Sequence, residues 1–402
     1  MLLQLLAVAG FAMWRKPTSA PVPAPQTAAE PHATTRALAW PGGRNFRVVR
    51  REFEDRAHSQ CSFYLAPVDG AALPPFKPGQ FLTFTLQLAN HDGTPENQRA
   101  TTRCYSLSDQ PDPAHYRVTI KRVPAPSDQP DLPPGAASGH FHDHVQVGDV
   151  LQVKAPSGHF HIDAASMTSV VLIGGGLGIT PMMSMLRWCL SRQPGRTVHL
   201  YYGLRNSREH AFKQTLAQIA GDHPQLHLHV VYSRPGPQDE LGRDYQHTGH
   251  VNINLLRQQL PHGPHQFYVC GPAPMMETLV PDLLAWGVPQ QDVHFEAFGP
   301  ASVRLPAATP SVSTVSSTAF DIHFTKSGRT LPWNGQEANL LDFAERHGVA
   351  VDSGCRSGSC GSCETRLRQG TVSYASPPDH DPAPGHCLLC VATPGADLEL
   401  EA

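Results

Sequence analysis

From Arg44 onward, apolar and polar positions alternate in short runs. Phe46–Arg50, Ser62–Ala66 and Gln80–Leu88 place every second side chain on one face, and Pro, Gly and Asp turns separate them. Arg103–Ser108, Tyr116–Val123 and Asp149–Ala155 continue the pattern, with a disordered-looking insertion before the last. Six or so short strands at this spacing predict a small antiparallel β-barrel. At Ser169 the texture changes. Val170–Ile173 is a continuous apolar run, followed by Gly174-Gly175-Gly176-Leu177-Gly178-Ile179-Thr180-Pro181 and a helical Met182–Leu190. Thr180 is placed to cap that helix, with Pro181 in its first turn. Strands Val198–Tyr202, His227–Tyr232 and Gln266–Cys270 then alternate with helices Ala211–Ala220, Ile253–Leu260 and Pro274–Trp286, which predicts a doubly wound parallel sheet. Gly299–Thr318 is rich in Pro, Ser, Thr, Val and Ala, lacks periodicity and reads as a linker. Strands Asp321–Thr325, Thr330–Trp333, Cys363–Gln369 and Leu398–Glu401, with a helix near Asn339–His347, make the last module a compact α+β unit.

A chain of 402 residues needs two to four cores. The expected division is 1–43 as an apolar N-terminus and Pro-rich spacer, 44–165 as the barrel, 166–300 as the α/β domain, 301–318 as linker and 319–402 as the α+β unit. Net charge is −3, with no basic block or basic face interleaved with aromatics, so no nucleic-acid partner is expected. Met1–Trp14 is apolar and is followed by Arg15 and Lys16. Fourteen residues fall short of the ~18–20 that span a bilayer, and no positive region precedes them as in a secretory signal. The expectation is a cytoplasmic protein, with weak membrane association through the N-terminus left open.

Of nine cysteines, five lie in the last fifty residues. Cys355, Cys360 and Cys363 stand at C-x4-C-x2-C spacing, the plant-type pattern for a [2Fe–2S] cluster. Cys360-x2-Cys363 and Cys387-x2-Cys390 also resemble zinc knuckles. Zinc leaves Cys355 unexplained, and Gly354, Gly358, Gly361 and four serines suit a loop whose N–H groups approach sulfur. The fourth ligand is Cys387 or Cys390 on spacing alone. Cys61, Cys104 and Cys189 sit in apolar segments and read as packing residues, so a reducing compartment fits.

Several motifs together carry a resemblance. The glycine run is similar to the G-G-x-G-x-T-P element of the ferredoxin–NADP reductase superfamily, and Cys270-Gly271-Pro272-Ala273-Pro274-Met275 to its C-G-P-x-x-M element. Arg103-Cys104-Tyr105-Ser106 resembles its R-x-Y-S flavin motif. Pro134–His144, which resembles the second phosphate-binding turn, and Glu296-Ala297-Phe298-Gly299-Pro300 look most like the reductase half of flavohaemoglobins. Residues 339–402 resemble plant-type ferredoxins, whose fold is a β-grasp, and Cys390-Val391-Ala392-Thr393-Pro394 looks like their closing segment.

The resemblance implies that Arg103, Gly135 and Ser138 bind flavin phosphates, that Tyr105 stacks on the flavin ring with Ser106 near N5, and that Phe298 lies beside it. Gly174, Gly176, Thr180, Pro181, Gly271 and Pro272 would bind NADH or NADPH. Cys270 would sit by the nicotinamide and, with Ser106, serve the hydride step. Cys355, Cys360, Cys363 and Cys390 would hold the cluster, with Cys387 spare. The flavohaemoglobin likeness points to FAD over FMN, and related three-module reductases to NADH over NADPH. The implied activity passes electrons from NAD(P)H through flavin and cluster to a separate acceptor protein, such as an oxygenase or a hybrid-cluster protein. The alternative is a non-catalytic flavin and iron–sulfur redox sensor or relay subunit.

Overall fold

The computed structural model describes residues 39–89, 98–125, 130–131, 133–298, 320–375 and 377–402. The apolar N-terminus, most of the spacer, Gly299, Pro300 and the 301–318 linker lie outside the described residues.

Among the described residues, β1 (Gly43–Phe53), β2 (Gln60–Pro67), β3 (Phe81–Ala89), β4 (Gln98–Ser106), β5 (Tyr116–Lys121) and β6 (Val150–Ser157) form an antiparallel sheet in the order β4-β3-β6-β1-β2-β5. A bridge between Leu107 and Val118 draws its two edges together, so the sheet closes on itself. The alternation has a direct outcome in β3. Leu82, Phe84, Leu86 and Leu88 are buried in the barrel core with Phe46, Phe63 and Val153. Phe81, in an odd position, instead lines a cavity outside that core. Each such apolar side chain contributes about 1.5–3 kcal/mol on burial.

The segment expected to be an insertion contains a helix, α1 (Ala136–Asp143), whose Phe141 packs edge-on against Phe63, Phe84 and Tyr105. Within α1 itself Ala137 and Phe141 are the one apolar pair at helical spacing, too weak a period to see, and tertiary packing supplies the rest.

The second sheet holds β7 (Ser169–Gly175), β8 (Val198–Leu204), β9 (Leu226–Tyr232), β10 (His247–Thr248), β11 (His265–Gly271) and β12 (Val293–Ala297), all parallel, in the order β10-β9-β8-β7-β11-β12. Helices α2 (Ile179–Arg192) and α3 (Lys213–Asp222) bury Met182, Leu186 and Leu216 on one face. Helices α4 (Ile253–Gln259) and α5 (Ala273–Ala285) bury Leu256, Met276 and Leu279 on the other. Strand reversal at β7 leaves a crevice at the carboxyl ends of the strands, where such sheets take ligands.

Thr180 does not cap α2. The cap position is Gly178, a 3-10 turn at Gly176–Gly178 starts the helix early, and the Thr180 hydroxyl donates back to the Leu177 carbonyl at 3.0 Å. Pro181 remains in the first turn, where its missing N–H is not needed.

The last sheet runs β14-β13-β19-β15-β17, built from β13 (Phe320–Phe324), β14 (Arg329–Trp333), β15 (Glu364–Gln369), β17 (His386–Leu388) and β19 (Leu398–Leu400). A side pair joins β16 (Val372–Tyr374) to β18 (Ala392–Pro394). Helix α6 (Leu340–Arg346) packs Leu340, Phe343 and Ala344 onto this sheet. The cysteine loop crosses from α6 to β15.

Candidate functional site

Where the three sheets meet, a cavity of about 150 Å³ is lined by residues of all three. The barrel supplies Phe81, Cys104, Tyr105 and Ser106; the parallel sheet and its loops supply Leu177, Thr180, Glu296, Ala297 and Phe298; the cysteine loop supplies Gly354 and Cys355. The Ser106 hydroxyl is buried with no hydrogen-bond partner among the described residues. A buried hydroxyl left unpaired costs ~1–3 kcal/mol, so its orientation into a cavity fits a polar ligand atom there. Tyr105 is held edge-on between Phe84 and Phe141, and burial pushes its phenol well above the usual range. An aromatic side face, a waiting hydroxyl and the exposed ring of Phe298 suit a flat heteroaromatic group such as a flavin ring.

Glu296, missed as an individual site residue, has its Oε2 buried without a partner among the described residues. Burial pushes its carboxyl up to about 8, helped by the neighbouring Cys355 thiol. Its signal in sequence was faint: one acid at a polar position of a five-residue alternating strand, where a solvent-facing carboxylate is the ordinary reading.

A second cavity, about 570 Å³, lies along the carboxyl ends of β7, β8 and β11. Gly175, Gly176, Gly203, Arg205, Asn252 and Pro272 line it, with Lys121 of the barrel on its rim. Gly176 has φ +53 and faces open space. The other glycines are there for close approach. A Cβ on Gly178 would stand 1.9 Å from the Cys270 carbonyl oxygen, and one on Gly271 would stand 3.1 Å from Gly175 Cα. A Cβ on Gly174 would meet Ile179 Cα at 3.1 Å. The two motif loops thus interlock, leaving a size and backbone lining that fit a dinucleotide.

Cys270 is wholly buried in the core between β7 and β12, lines neither cavity, and burial raises its thiol well above the ordinary value. Direct access to a nicotinamide is not what the structure presents: Gly178 covers its backbone and Met275 packs over Gly271. Arg103 is exposed, lines neither cavity, and its Nη1 donates to the Thr102 carbonyl at 2.8 Å. Ser138 already uses its hydroxyl, donating to Gly135 O at 3.0 Å and accepting from Val123 N at 3.1 Å. For a phosphate at this turn, what remains is backbone N–H at the start of α1, not the Ser138 side chain.

The cysteines fall into two pairs. The Cys355 thiol lies against that of Cys360, and the Cys363 thiol against that of Cys390. The Cys355 sulfur also accepts from the N–H groups of Ser357, Ser359 and Cys360 at 3.3–3.4 Å, and the Cys360 sulfur from those of Cys355 and Ser362 at 3.3 and 3.5 Å. Arg356, at φ +56, and Gly358 and Gly361, at φ +75 and +74, curl the backbone so that these N–H groups face the sulfurs. Its partner thiol and then burial push Cys355 far up; the same two causes act on Cys390. Both members of such a pair lose their protons together only when a metal takes the charge. Two pairs side by side fit two irons. Among the described residues no three His, Cys, Asp or Glu side chains converge on a single ion. Cys387 stands apart in β17 opposite Thr365, buried, with its thiol pushed up to about 12.

The cysteine loop is gripped by the barrel. Lys154 Nζ donates to the Cys360 carbonyl at 2.9 Å, and His159 Nε2 lies 3.2 Å from Asp379, which also accepts from the Ser359 hydroxyl at 2.9 Å.

Comparison with known proteins places these features in a lineage. Residues 172–280 match the oxidoreductase NAD-binding domain family, and residues 322–395 the 2Fe-2S iron-sulfur cluster binding domain family. The flavohemoprotein of Halalkalibacterium halodurans is 40% identical over 264 residues, 65% of this chain. The chain spans 62% of the length of that relative. The flavohem-like FAD/NAD binding domain of nitric oxide dioxygenase from Vibrio cholerae O1 biovar El Tor is 32% identical, with a TM-score of 0.55, over 64% of this chain and 100% of that one. Phthalate dioxygenase reductase, whose structure is described as modular for electron transfer from pyridine nucleotides to [2Fe-2S], is 27% identical, with a TM-score of 0.51, over 90% of this chain and 98% of that one.

Proposed function

We propose that this chain, which belongs to the ferredoxin–NADP reductase superfamily and carries a plant-type [2Fe–2S] ferredoxin domain, is an NAD(P)H-dependent oxidoreductase delivering electrons through FAD and the cluster to a separate acceptor protein. The observation that carries the reading is the shared cavity: Ser106 and Tyr105, Thr180 and Phe298, and Cys355 border one space. FAD held beside Tyr105, Ser106 and Phe298 would supply hydride acceptance from a nicotinamide and one-electron release to an iron–sulfur cluster, chemistry that belongs to the cofactors.

The chain's part is to orient and enclose. Ser106 offers its unpaired hydroxyl to the ring edge, while Tyr105 and Phe298 present aromatic surface. Gly176 and Pro272 line the cavity offered to a dinucleotide, and the close approach of Gly178 to Cys270 and of Gly271 to Gly175 holds the two motif loops together. Cys355, Cys360, Cys363 and Cys390 would hold the cluster, and the loop N–H groups that donate to the Cys355 sulfur would compensate its charge. FAD and NADH are the favoured partners, with an oxygenase or a hybrid-cluster protein as the class of acceptor. Among the described residues no helix is long and apolar enough to cross a membrane; weak association through the N-terminus rests on sequence alone.

Two measurements test this reading. Protein replete in flavin and cluster oxidises NADH with an artificial electron acceptor; no turnover would favour the sensor or relay alternative. Cys390→Ser loses iron, acid-labile sulfide and visible cluster absorbance while NADH still bleaches the flavin, and Cys387→Ser keeps all of them. The reverse result reassigns the fourth ligand, and zinc in place of iron ends the cluster assignment.

A further inference from the structure

Cys104 lies between Arg103 and Tyr105, and the flavin-motif likeness gives it no task. The fold does. Across the barrel surface, Thr83 of β3 pairs with Cys104 of β4 on one side and with Lys154 of β6 on the other. This three-strand row faces one residue of the cysteine loop. Lys154 holds the carbonyl of Cys360 at 2.9 Å, and the Cys104 thiol sits against the thiol of the same residue. Gly354 makes the approach feasible: a Cβ there would stand 2.9 Å from Cys360 Sγ and 3.5 Å from Cys104 Sγ, wedged between loop and barrel. Thr83 Oγ1, 3.4 Å from Cys104 Sγ, fixes the other side of that sulfur. Cys104 and Gly354 also line the shared cavity next to Tyr105 and Cys355.

We propose that Cys104 is a positioning residue for electron passage from barrel to cysteine loop, its S–H donating to the sulfur of Cys360 and so fixing and tuning the cluster edge that faces the flavin cavity. The inference rests on the reading of Cys355, Cys360, Cys363 and Cys390 as cluster ligands. A Cys360 sulfur bonded to iron carries no proton, so the one S–H between the two sulfurs is that of Cys104. A donor at a ligand sulfur stabilises the reduced, more negative cluster and raises its potential.

The test is a redox titration of the full-length holoprotein, followed by electron paramagnetic resonance of the reduced cluster, in wild type, Cys104→Ala and Cys104→Ser. In Cys104→Ala the reduction equilibrium shifts about threefold against the cluster, ~28 mV more negative at 59 mV per decade for one electron, with iron and sulfide content unchanged. Cys104→Ser, which keeps a donor of similar shape, returns the potential to the wild-type value or above. An unchanged potential in Cys104→Ala, or the same negative shift in both variants, overturns the proposal. Failure of the underlying reading shows separately: Cys360→Ser and Cys390→Ser would then retain the full complement of iron and sulfide.

Discussion

Ser106 and Gly178 show how different in kind the pressures on neighbouring motif residues are. Ser106 holds a hydroxyl with nothing to bond among the described residues, a cost in the empty fold that a ligand converts into a contact. Ser106→Ala is therefore expected to leave the flavin-free protein as stable as wild type or up to ~1 kcal/mol more so. The same change slows flavin reduction by NADH about tenfold, near 1.4 kcal/mol in the barrier. Thermal unfolding without flavin and stopped-flow absorbance with it check the two halves. Gly178 is steric. Its missing side chain admits the Cys270 carbonyl, so Gly178→Ala is expected to destabilise by about 3 kcal/mol, the upper end for overpacking, measured by urea unfolding. The sequence signalled that a glycine run stood here; that Gly178 is the least replaceable member follows from β11, whose approach no local pattern encodes. Cys270 teaches the converse. Its motif was legible, but its burial behind Gly178 and Met275 was not.

Elements with a strong period were legible; those without one were not. Strands β1 to β6 follow from alternation and β7 from its apolar run, whereas α1 exists because Phe141 reaches Phe63, Phe84 and Tyr105. Strand β12 alternates apolar and polar over only five residues, Val293 to Ala297, too short a run to stand out beside the continuous apolar β7. A row of histidines across the parallel sheet is another product of register. His199 on β8 stacks on His227 of β9 at 4.7 Å, and His229 lies beside His247 of β10 with Nδ1 and Nε2 3.2 Å apart. Burial, then His227, His265 and His229, lowers His199 to about 4; burial, then His247 and His227, lowers His229 to about 4.

Folded values below the unfolded value of about 6.5 mean that the unfolded chain binds protons first on acidification. Stability from this row is full above about pH 6.5 and is lost as pH falls towards 4, on the order of 2 kcal/mol. His199→Phe keeps a flat ring and removes two buried nitrogens that lack partners among the described residues. It is expected to match wild type at pH 7 and to flatten the loss between pH 6.5 and 4 in urea titrations. A parallel loss in both proteins would place the titration elsewhere.

On the scale of the whole molecule, the decisive feature is a meeting of parts far apart in sequence. Tyr105, Thr180, Phe298 and Cys355 span the chain, yet they border one cavity. Sequence motifs named the residues module by module, including the four cysteines. They carried no information on how a cysteine loop near residue 355 would seat on β4 and β6, because Lys154 with Cys360 and His159 with Asp379 are single long-range contacts without a pattern. Docking predicts that electrons cross within one chain without waiting for another molecule. The most direct test is anaerobic rapid mixing of the full-length holoprotein with NADH, followed by absorbance and freeze-quench paramagnetic resonance. The reduced [2Fe–2S] signal is expected to grow in after flavin bleaching, at a rate independent of protein concentration. A bleached flavin beside a cluster that stays oxidised, or a cluster rate that rises with protein concentration, would contradict it.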